Sequence, residues 1–330
     1  MNHAFRIGLL LLLALAQPAF GQGAASAPTK RVGYLVWSSV GPRGHLESAL
    51  VDGLRDQGYV EGRNLVIDRR YVDAGIDQVR AAAEELTALM PDVIVSTCSD
   101  STAAAKQATA ASHIPVVMAY VADPVGQGLI ASYSQPGGNV TGLASQAEDT
   151  MPKLLQLISE MVPAGATVAV LYHTTSPAHP RLWQRLESAA KERGTRLLRV
   201  DFAKRVDIAP AIEAIGEGRI GAMIALPDDN MMYNAREQLV KLVEQRRIPV
   251  IFGSREFTDI GGLMSYGPSL ASSYRYTATY VDKLFGGACP ANLPVEQPTR
   301  FELVVNLRTA RGPGLAIPPS LLALADEVIR

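Results

Sequence analysis

The chain has 330 residues, of which 48% are hydrophobic, and a formal net charge of -1. So balanced a charge gives no electrostatic reason to expect a nucleic acid or an anionic membrane as a partner. The roughly 300 residues that would remain after removal of an export signal are too many for one ordinary core and predict two domains.

The N-terminus has the pattern of an export signal. Residues 1–6 form a short, positively charged segment, and residues 7–16 form an apolar run. This run is shorter than the roughly 20 residues needed to span a bilayer. Small residues would allow cleavage after Gly21 or after Ala27. We therefore predict a signal peptide over residues 1–27 and a periplasmic product, without a lipid anchor because no cysteine lies near the cleavage region.

From residue 31 onward, short apolar segments alternate with amphipathic ones. The pattern predicts strands at 31–37, 64–72, 92–98, 114–121 and 139–144, and helices at 45–57, 78–89, 102–111 and 126–133. Alternation of this kind is typical of a mostly parallel sheet covered on both faces.

The pattern restarts near residue 151. It predicts helices at 151–161, 182–193, 208–215, 235–245 and 271–285, and strands at 167–172, 197–202, 220–226, 248–252 and 263–266. Similar sequences, IPVV at 114–117 and IPVI at 248–251, occur near the end of each half, which fits two lobes of one topology. Cys98 ends a predicted strand and Cys289 follows a helix at the opposite edge, so we expect no disulfide between them.

Candidate ligand-binding residues follow from the predicted sheets. In open parallel sheets, ligands bind beyond the carboxyl ends of the strands, where helix N-termini also point. The residues selected by this rule are Trp37, Ser38, Ser39, Ser99, Ser101, Thr102, Tyr120, Asp123, Tyr172, Thr174, Asp228, Asn230, Ser254 and Glu256.

These side chains suit a small polar or zwitterionic solute such as an amino acid. The hydroxyls, with nearby helix N–H groups, would bind a carboxylate, the acidic groups would take an ammonium, and the rings would pack a side chain. Ser99, Ser101 and Asp123 equally fit as helix caps, and the tyrosines as partly buried aromatics. His173 and His179 share a proline-containing loop without metal-ligand spacing, so they are interpreted as solvated histidines, and no metal or other cofactor is expected.

Several short sequences occur in a characteristic order: GYVEGRN at 58–64, DVIV at 92–95, IPVV at 114–117, DPV at 123–125, PGGNVTG at 136–142, REF at 255–257 and GGLMSYG at 261–267. Together with LAIP at 315–318 and ADEVI at 325–329, they resemble the ABC transporter substrate-binding proteins of the tryptophan/tyrosine-binding type. The resemblance covers nearly the whole chain after the export signal. One departure is CSDST at 98–102, where the family usually has a glycine-rich loop with Thr-Pro, and Asp100 adds a negative charge there.

The resemblance implies a type I periplasmic-binding-protein fold, in which two Rossmann-like α/β lobes are hinged around a ligand cleft. Residues 31–145 with about 268–288 would form the N-terminal lobe, and residues 146–267 with about 289–330 the C-terminal lobe. A monomer of this kind closes on a small solute and presents it transiently to an ABC permease in the inner membrane. Positions that match the family place Ser39, Ser101, Thr102, Asp123, Tyr172, Asp228, Asn230 and Glu256 around the cleft.

Other classes of protein fit the sequence less well. The chain has no GxSxG, GxxxxGK[ST] or GxGxxG motif, and GPRG at 41–44 has the wrong spacing for a nucleotide loop, so an exported α/β enzyme is the lesser alternative. A sugar-sensing transcription factor would need an N-terminal helix-turn-helix and basic charge where this chain has the predicted export signal. A receptor that feeds a sensor system instead of a permease stays open as an alternative.

Overall fold

The computed structural model describes residues 28–37, 44–72, 75–215, 220–227, 229–311 and 315–330. The signal peptide predicted over residues 1–27 lies outside these ranges. Within them, no helix is long and apolar enough to cross a membrane.

The first part of the chain builds a five-stranded sheet. Its elements are β1 (Lys30–Trp37), α1 (Gly44–Asp56), β2 (Leu65–Val72), α2 (Gly75–Ala88), β3 (Val93–Ser96), α3 (Ser99–Ala108), β4 (Val116–Val121) and β5 (Val140–Ala144). The strand order is β2-β1-β3-β4-β5 and all pairings are parallel. β3 and β4 are buried along their whole length, as expected for strands covered on both faces.

The next part builds most of a second sheet. Its elements are α4 (Ala147–Ser159), β6 (Thr167–His173), α5 (His179–Arg193), β7 (Arg196–Phe202), α6 (Ile208–Glu213), β8 (Ala222–Ala225), α7 (Asn230–Asn234), α8 (Arg236–Gln245), β9 (Val250–Phe252), α9 (Arg255–Asp259) and β10 (Met264–Gly267). The chain continues with α10 (Leu270–Phe285), β11 (Glu302–Asn306), α11 (Leu307–Arg311), α12 (Pro319–Leu324) and β12 (Glu327–Ile329). The seven strands run in the order β12-β11-β10-β9-β8-β6-β7, and only β10 and β11 pair antiparallel.

Helix α10 packs on the first sheet although it follows a strand of the second. Its buried Tyr274 and Val281 share a hydrophobic cluster with Leu50 of α1, on one face of the sheet, while α2 and α3 cover the other face. Residues after α10 then run beside β5, where the Ala144 N–H donates to the Glu296 carbonyl at 2.9 Å. The chain therefore passes between the two lobes after β5, after β10 and before β11. The exact lobe boundaries given above stay predictions.

The predicted elements agree with the observed ones to within a few residues, with one clear error. No helix forms at 126–133, where the described chain makes successive turns instead. Gly128 has φ +68°, in the left-handed region, which ends helical propagation. The sequence patterns also missed β11 and β12, which add an antiparallel edge to the second sheet.

The contact between α1 and α10 can be tested at Gly53. A Cβ atom there would lie 2.3 Å from the Arg275 carbonyl oxygen and 2.9 Å from the Ala278 Cβ. We expect Gly53→Ala to lower the free energy of unfolding by about 1–3 kcal/mol through overpacking, although alanine normally stabilises a helix interior. Urea denaturation measures this. Gly138→Ala is the control, because a Cβ at residue 138 meets no atom within 4 Å; equal stability of the two variants would contradict the packing.

Candidate functional site

A cavity lies between the two lobes, at the carboxyl ends of their strands. It contains about 660 Å³ of atom-free space, part of which is open to solvent. Thr97 and Cys98, which follow β3, form part of the first lobe's wall, and residues 225–227, at the end of β8, form part of the second. The parallel order of both sheets directs these strand ends toward the same crevice.

Aromatic rings from both lobes line this main cavity. They are Tyr120, Tyr233, Phe252, Phe257 and Tyr274. The rings of Phe252 and Phe257 stack with centroids 4.5 Å apart, and Tyr233 meets Phe257 edge to face at 6.3 Å. Because these rings pack against one another, the second lobe offers an ordered apolar surface to a bound solute.

A smaller cavity of about 360 Å³ adjoins the main one. The two share Cys98, Asp229 and Asn230 in their walls. The other residues that line the smaller cavity are Trp37, Ser99, Asp100, His173, Ser176, Pro177 and Met231. Acidic and hydroxyl groups are therefore concentrated at one end of the combined site.

The loop before α3 is organised by capping. Cys98 is the N-cap, and its Sγ accepts a hydrogen bond from the Ser101 N–H. The Ser101 hydroxyl in return accepts from the backbone N–H groups of Thr97 and Cys98, both at 3.1 Å. These bonds turn Ser101 inward and leave Cys98 and Ser99 at the cavities. Cys98 is not joined to Cys289 in a disulfide.

A buried ion pair joins His173, which lines the smaller cavity, to Asp229, which lines both. The His173 Nδ1 lies 2.6 Å from Asp229 Oδ2, and Asp229 Oδ1 accepts from the Met232 N–H at 2.8 Å, which caps α7. His179 approaches the same carboxylate, with its Nε2 3.6 Å from Asp229 Oδ2. The prediction that these two histidines are solvated is therefore wrong, because His179 is fully buried and His173 is nearly so. The short loop between the end of β6 and the start of α5 brings the two rings edge to face, with centroids 6.1 Å apart.

The protonation of this cluster follows from its geometry. Burial lowers the pKa of His173, but the hydrogen bond and charge of Asp229 outweigh it and raise the pKa overall. Burial also opposes ionisation of Asp229, yet His173 and His179 hold its pKa below the ordinary value. Burial lowers the pKa of His179 to about 4. His179 is therefore neutral at physiological pH, and its Nδ1 accepts a hydrogen bond from the His173 N–H at 2.8 Å.

Comparison with known families decides what kind of protein this is. Residues 43–329 match the model of the family described as ABC transporter substrate binding protein. The chain belongs to this family. Its members bind small-molecule ligands, partner with ABC permeases and are typically extracellular or periplasmic, and neither the family nor the fold is that of an enzyme.

Individual relatives agree with this assignment. The substrate-binding protein is 23% identical, over 265 residues, to a tyrosine-binding protein of Clostridioides difficile, covering 80% of this chain and 75% of that protein. A conserved domain protein from Vibrio cholerae O1 biovar El Tor is 29% identical, with a TM-score of 0.83 over 91% of this chain and 99% of that one. An ABC domain in complex with L-Trp from Streptococcus pneumoniae is 23% identical, with a TM-score of 0.82 over 91% and 100%. The type I periplasmic-binding-protein fold predicted from the sequence is confirmed.

Some of the predicted ligand-binding residues of this substrate-binding protein line the two cavities. Tyr120 and Ser254 line the main cavity, Trp37 and Ser99 line the smaller one, and Asn230 lines both. These residues come from β1, α3 and β4 of the first lobe and from the segments after β8 and β9 of the second. The strand-end rule therefore selects side chains that the fold brings together.

Other predicted residues do not line either cavity. Ser101 and Thr102 are fully buried, and the Thr102 hydroxyl donates to the Cys98 carbonyl at 2.7 Å. The buried Tyr172 ring packs edge to face against Trp183. Thr174 is exposed and donates to the Phe202 carbonyl at 3.2 Å. The hydroxyls of Thr102 and Thr174 thus have backbone partners of their own.

Asp123 and Glu256 join the two lobes. Asp123 Oδ2 lies 2.9 Å from an Arg181 guanidinium nitrogen, across the cleft in α5. Glu256 Oε1 lies 3.1 Å from the His45 Nε2 of α1. Both carboxylates sit beside the cavities rather than among their lining residues. Ser38, Ser39 and Asp228 lie outside the described residues.

Sequence reasoning missed much of the aromatic wall. Phe252 ends β9 two residues before Ser254, so the strand-end rule could have found it. Tyr233 and Phe257 lie on short helices that follow strand ends, and Tyr274 lies on α10, which returns from the other lobe. No local pattern indicates that a ring on α10 would face the second lobe's strand ends.

The His173–Asp229 pair can be tested through stability. The raised pKa of His173 means that its contribution is present below the ordinary value of 6.5 and lost as pH rises through the raised pKa. The lowered pKa of Asp229 means that its contribution is present above the ordinary 3.8 and lost as pH falls through the lowered pKa. We expect Asp229→Asn, which keeps a capping oxygen, to cost about 2 kcal/mol near pH 5.5, and less as the pH rises toward about 8.

Urea unfolding of wild type and variant at each pH measures this difference. Asp326→Asn is the control, because Asp326 accepts from the Leu303 N–H at 2.8 Å and has no histidine partner. A cost of Asp229→Asn that stays flat across this pH range would show that the pair does not titrate as described.

Proposed function

We propose that this chain is the periplasmic solute-binding component of an ABC importer and that it binds a small amino-acid-like solute with an aromatic ring between its closing lobes. The observation that carries the proposal is the main cavity, whose walls come from both lobes. Neither lobe encloses the space alone, so binding there favours the closed arrangement.

The chemistry of the walls supports an aromatic solute. The rings of Tyr120, Phe257 and Tyr274 contribute to the lining, and Asn230 and Ser254 supply polar atoms. Burial of an aromatic side chain of about 200 Å² would contribute about 5 kcal/mol before the entropic cost of association. A relative named as tyrosine-binding and a similar fold with bound L-Trp support the same class of ligand.

Contacts across the cleft support closure as the mechanism. Asp123 pairs with Arg181, His45 with Glu256, and the Asn234 side chain donates to the Trp37 carbonyl at 3.4 Å. Each of these bonds breaks if the lobes separate. Closure is thus favoured by a few weak contacts between the lobes and by the binding free energy of a solute that touches both walls.

The cellular role follows from the same arrangement. The protein is exported by the signal peptide at residues 1–27 and acts as a monomer in the periplasm. It binds the solute noncovalently, without a cofactor, makes and breaks no covalent bond, and meets the permease only transiently. Consumption of the solute during incubation would overturn the non-enzymatic part of this proposal.

The proposed function is tested by a thermal-shift screen of the twenty amino acids, followed by calorimetry of the hits. A ligand at about 100 times its Kd stabilises the folded form by about 2.7 kcal/mol, so tyrosine or tryptophan should raise the Tm. Asn230→Ala should weaken binding about five- to thirtyfold by removing a polar group from both cavities. Asn292→Ala, on the exposed surface after α10, is the control. If no amino acid raises the Tm, the proposed ligand class is wrong.

The His45–Glu256 contact predicts how affinity depends on pH. The hydrogen bond to Glu256 raises the pKa of His45 in the closed form, against the opposing effect of burial. When the lobes open, the imidazole returns to its ordinary value, given as 6.5. The contact therefore favours closure fully below that value, and this effect is lost as pH rises through the raised pKa.

We expect wild-type affinity for the identified amino acid to fall about two- to fivefold relative to His45→Gln as pH rises from about 6 to 8. Calorimetry at each pH measures the difference. His113→Gln, which changes an exposed histidine on the first lobe, should follow the wild type. A His45→Gln profile parallel to that of the wild type would show that this contact plays no part in closure.

A further inference from the structure

The two cavities differ in their chemistry. Aromatic rings dominate the main cavity, whereas Asp100, His173 and Asp229 all line the smaller one. Among the residues that the structure describes, no lysine or arginine lines either cavity. Among these described lining residues, His173 is the one side chain that can bring a positive charge to the combined site.

Asp100 carries the negative charge that is left uncompensated. His173 and Asp229 offset each other across their hydrogen bond of 2.6 Å. No described side chain bonds to the Asp100 carboxylate. The charges of His173 and of Arg80 in α2 act on it from a distance, and each of these groups is paired with another carboxylate, His173 with Asp229 and Arg80 with Asp77 at 3.2 Å. Burial, followed by the charge of Asp229, raises the pKa of Asp100. A cation placed beside Asp100 would relieve this electrostatic cost.

The position of Asp100 also disfavours an incoming carboxylate. It is the second residue of α3, and the first turn of a helix attracts negative charge. The side chain of Asp100 already supplies that charge, so a carboxylate on the solute would meet like charge in a partly buried space. The indole of Trp37 lines the same cavity, and an aromatic face beside a carboxylate is suited to an ammonium group.

We infer that the smaller cavity is an ammonium subsite in which Asp100 determines specificity. The solute places an aromatic ring in the main cavity and a cationic amine beside Asp100, and it needs no carboxylate next to the amine. The inference rests on the proposed function, because it assigns the two ends of a solute to that site. Since the cavities share Asp229 and Asn230 in their walls, an amine on a short chain from the ring reaches the subsite. An arylalkylamine has this chemistry.

Calorimetry with matched compounds tests the inference. Three compounds are titrated into the wild-type protein for each ring, phenol or indole. They are the amine (tyramine or tryptamine), the amino acid, and the acid that lacks the amine. We expect at least one amine to bind as tightly as its amino acid or tighter, and the matching acid to bind about 100-fold more weakly. Asp100→Asn should weaken the amine about tenfold without weakening the acid. Asp100→Ser, which removes the charge through a smaller side chain, should do the same.

Two controls accompany these variants. Asp100→Glu keeps the charge and should keep the preference for the amine, and Glu84→Gln removes an exposed acidic group of α2 and should change none of the affinities. The inference is overturned if both amino acids bind more tightly than their amines. It is also overturned if Asp100→Asn leaves the ratio of amine to acid affinity unchanged. In either case the proposed function stands, whereas it fails together with the subsite if none of the compounds binds.

Discussion

The hydrogen-bonded pair of His173 and Asp229 fixes the wall on which the rest of the site depends. Asp229 caps α7 through one oxygen and holds the imidazole at the end of β6 through the other. A carboxylate with only 2% of its side chain exposed is stable there because each of its oxygens has a donor. The same residue lines both cavities, so the order of the second lobe's wall follows directly from a buried charge whose hydrogen bonds are satisfied.

The contacts that hold the lobes together differ in kind from that pair. The side chains of Arg181 and His45 are 58% and 57% exposed, so solvent screens their bonds to Asp123 and Glu256. Such pairs contribute about 0–1 kcal/mol each. They bias the closed arrangement without locking it, which leaves the solute's contacts with both walls as the larger contribution. Strong buried pairing lies within a lobe, and weak exposed pairing lies between lobes.

Periodicity predicts the architecture well because both sheets consist of buried apolar strands between amphipathic helices. Most strands and helices up to α10 could be read in this way, although the helix predicted at 126–133 does not form and the short helices α7 and α9 were missed. The strand-end rule located Trp37, Ser99, Tyr120, Asn230 and Ser254 at the cavities. What that rule does not contain is side-chain direction. Ser101 and Thr102 follow a strand end but turn inward, because capping the first turn of α3 requires their hydroxyls.

The missed half of the site has a different physical origin. Tyr274 is placed by the return of α10 to the first lobe, and that return depends on the close approach of Gly53 to the Arg275 carbonyl, which no local periodicity encodes. Tyr274 lines the main cavity from the first lobe, and Phe252 and Phe257 line it from the second. Because the aromatic lining of the main cavity comes from both lobes, burying a ring-bearing solute there and closing the cleft would remove the same apolar surface from water. Under the proposed function, binding and closure would for this reason be one thermodynamic event.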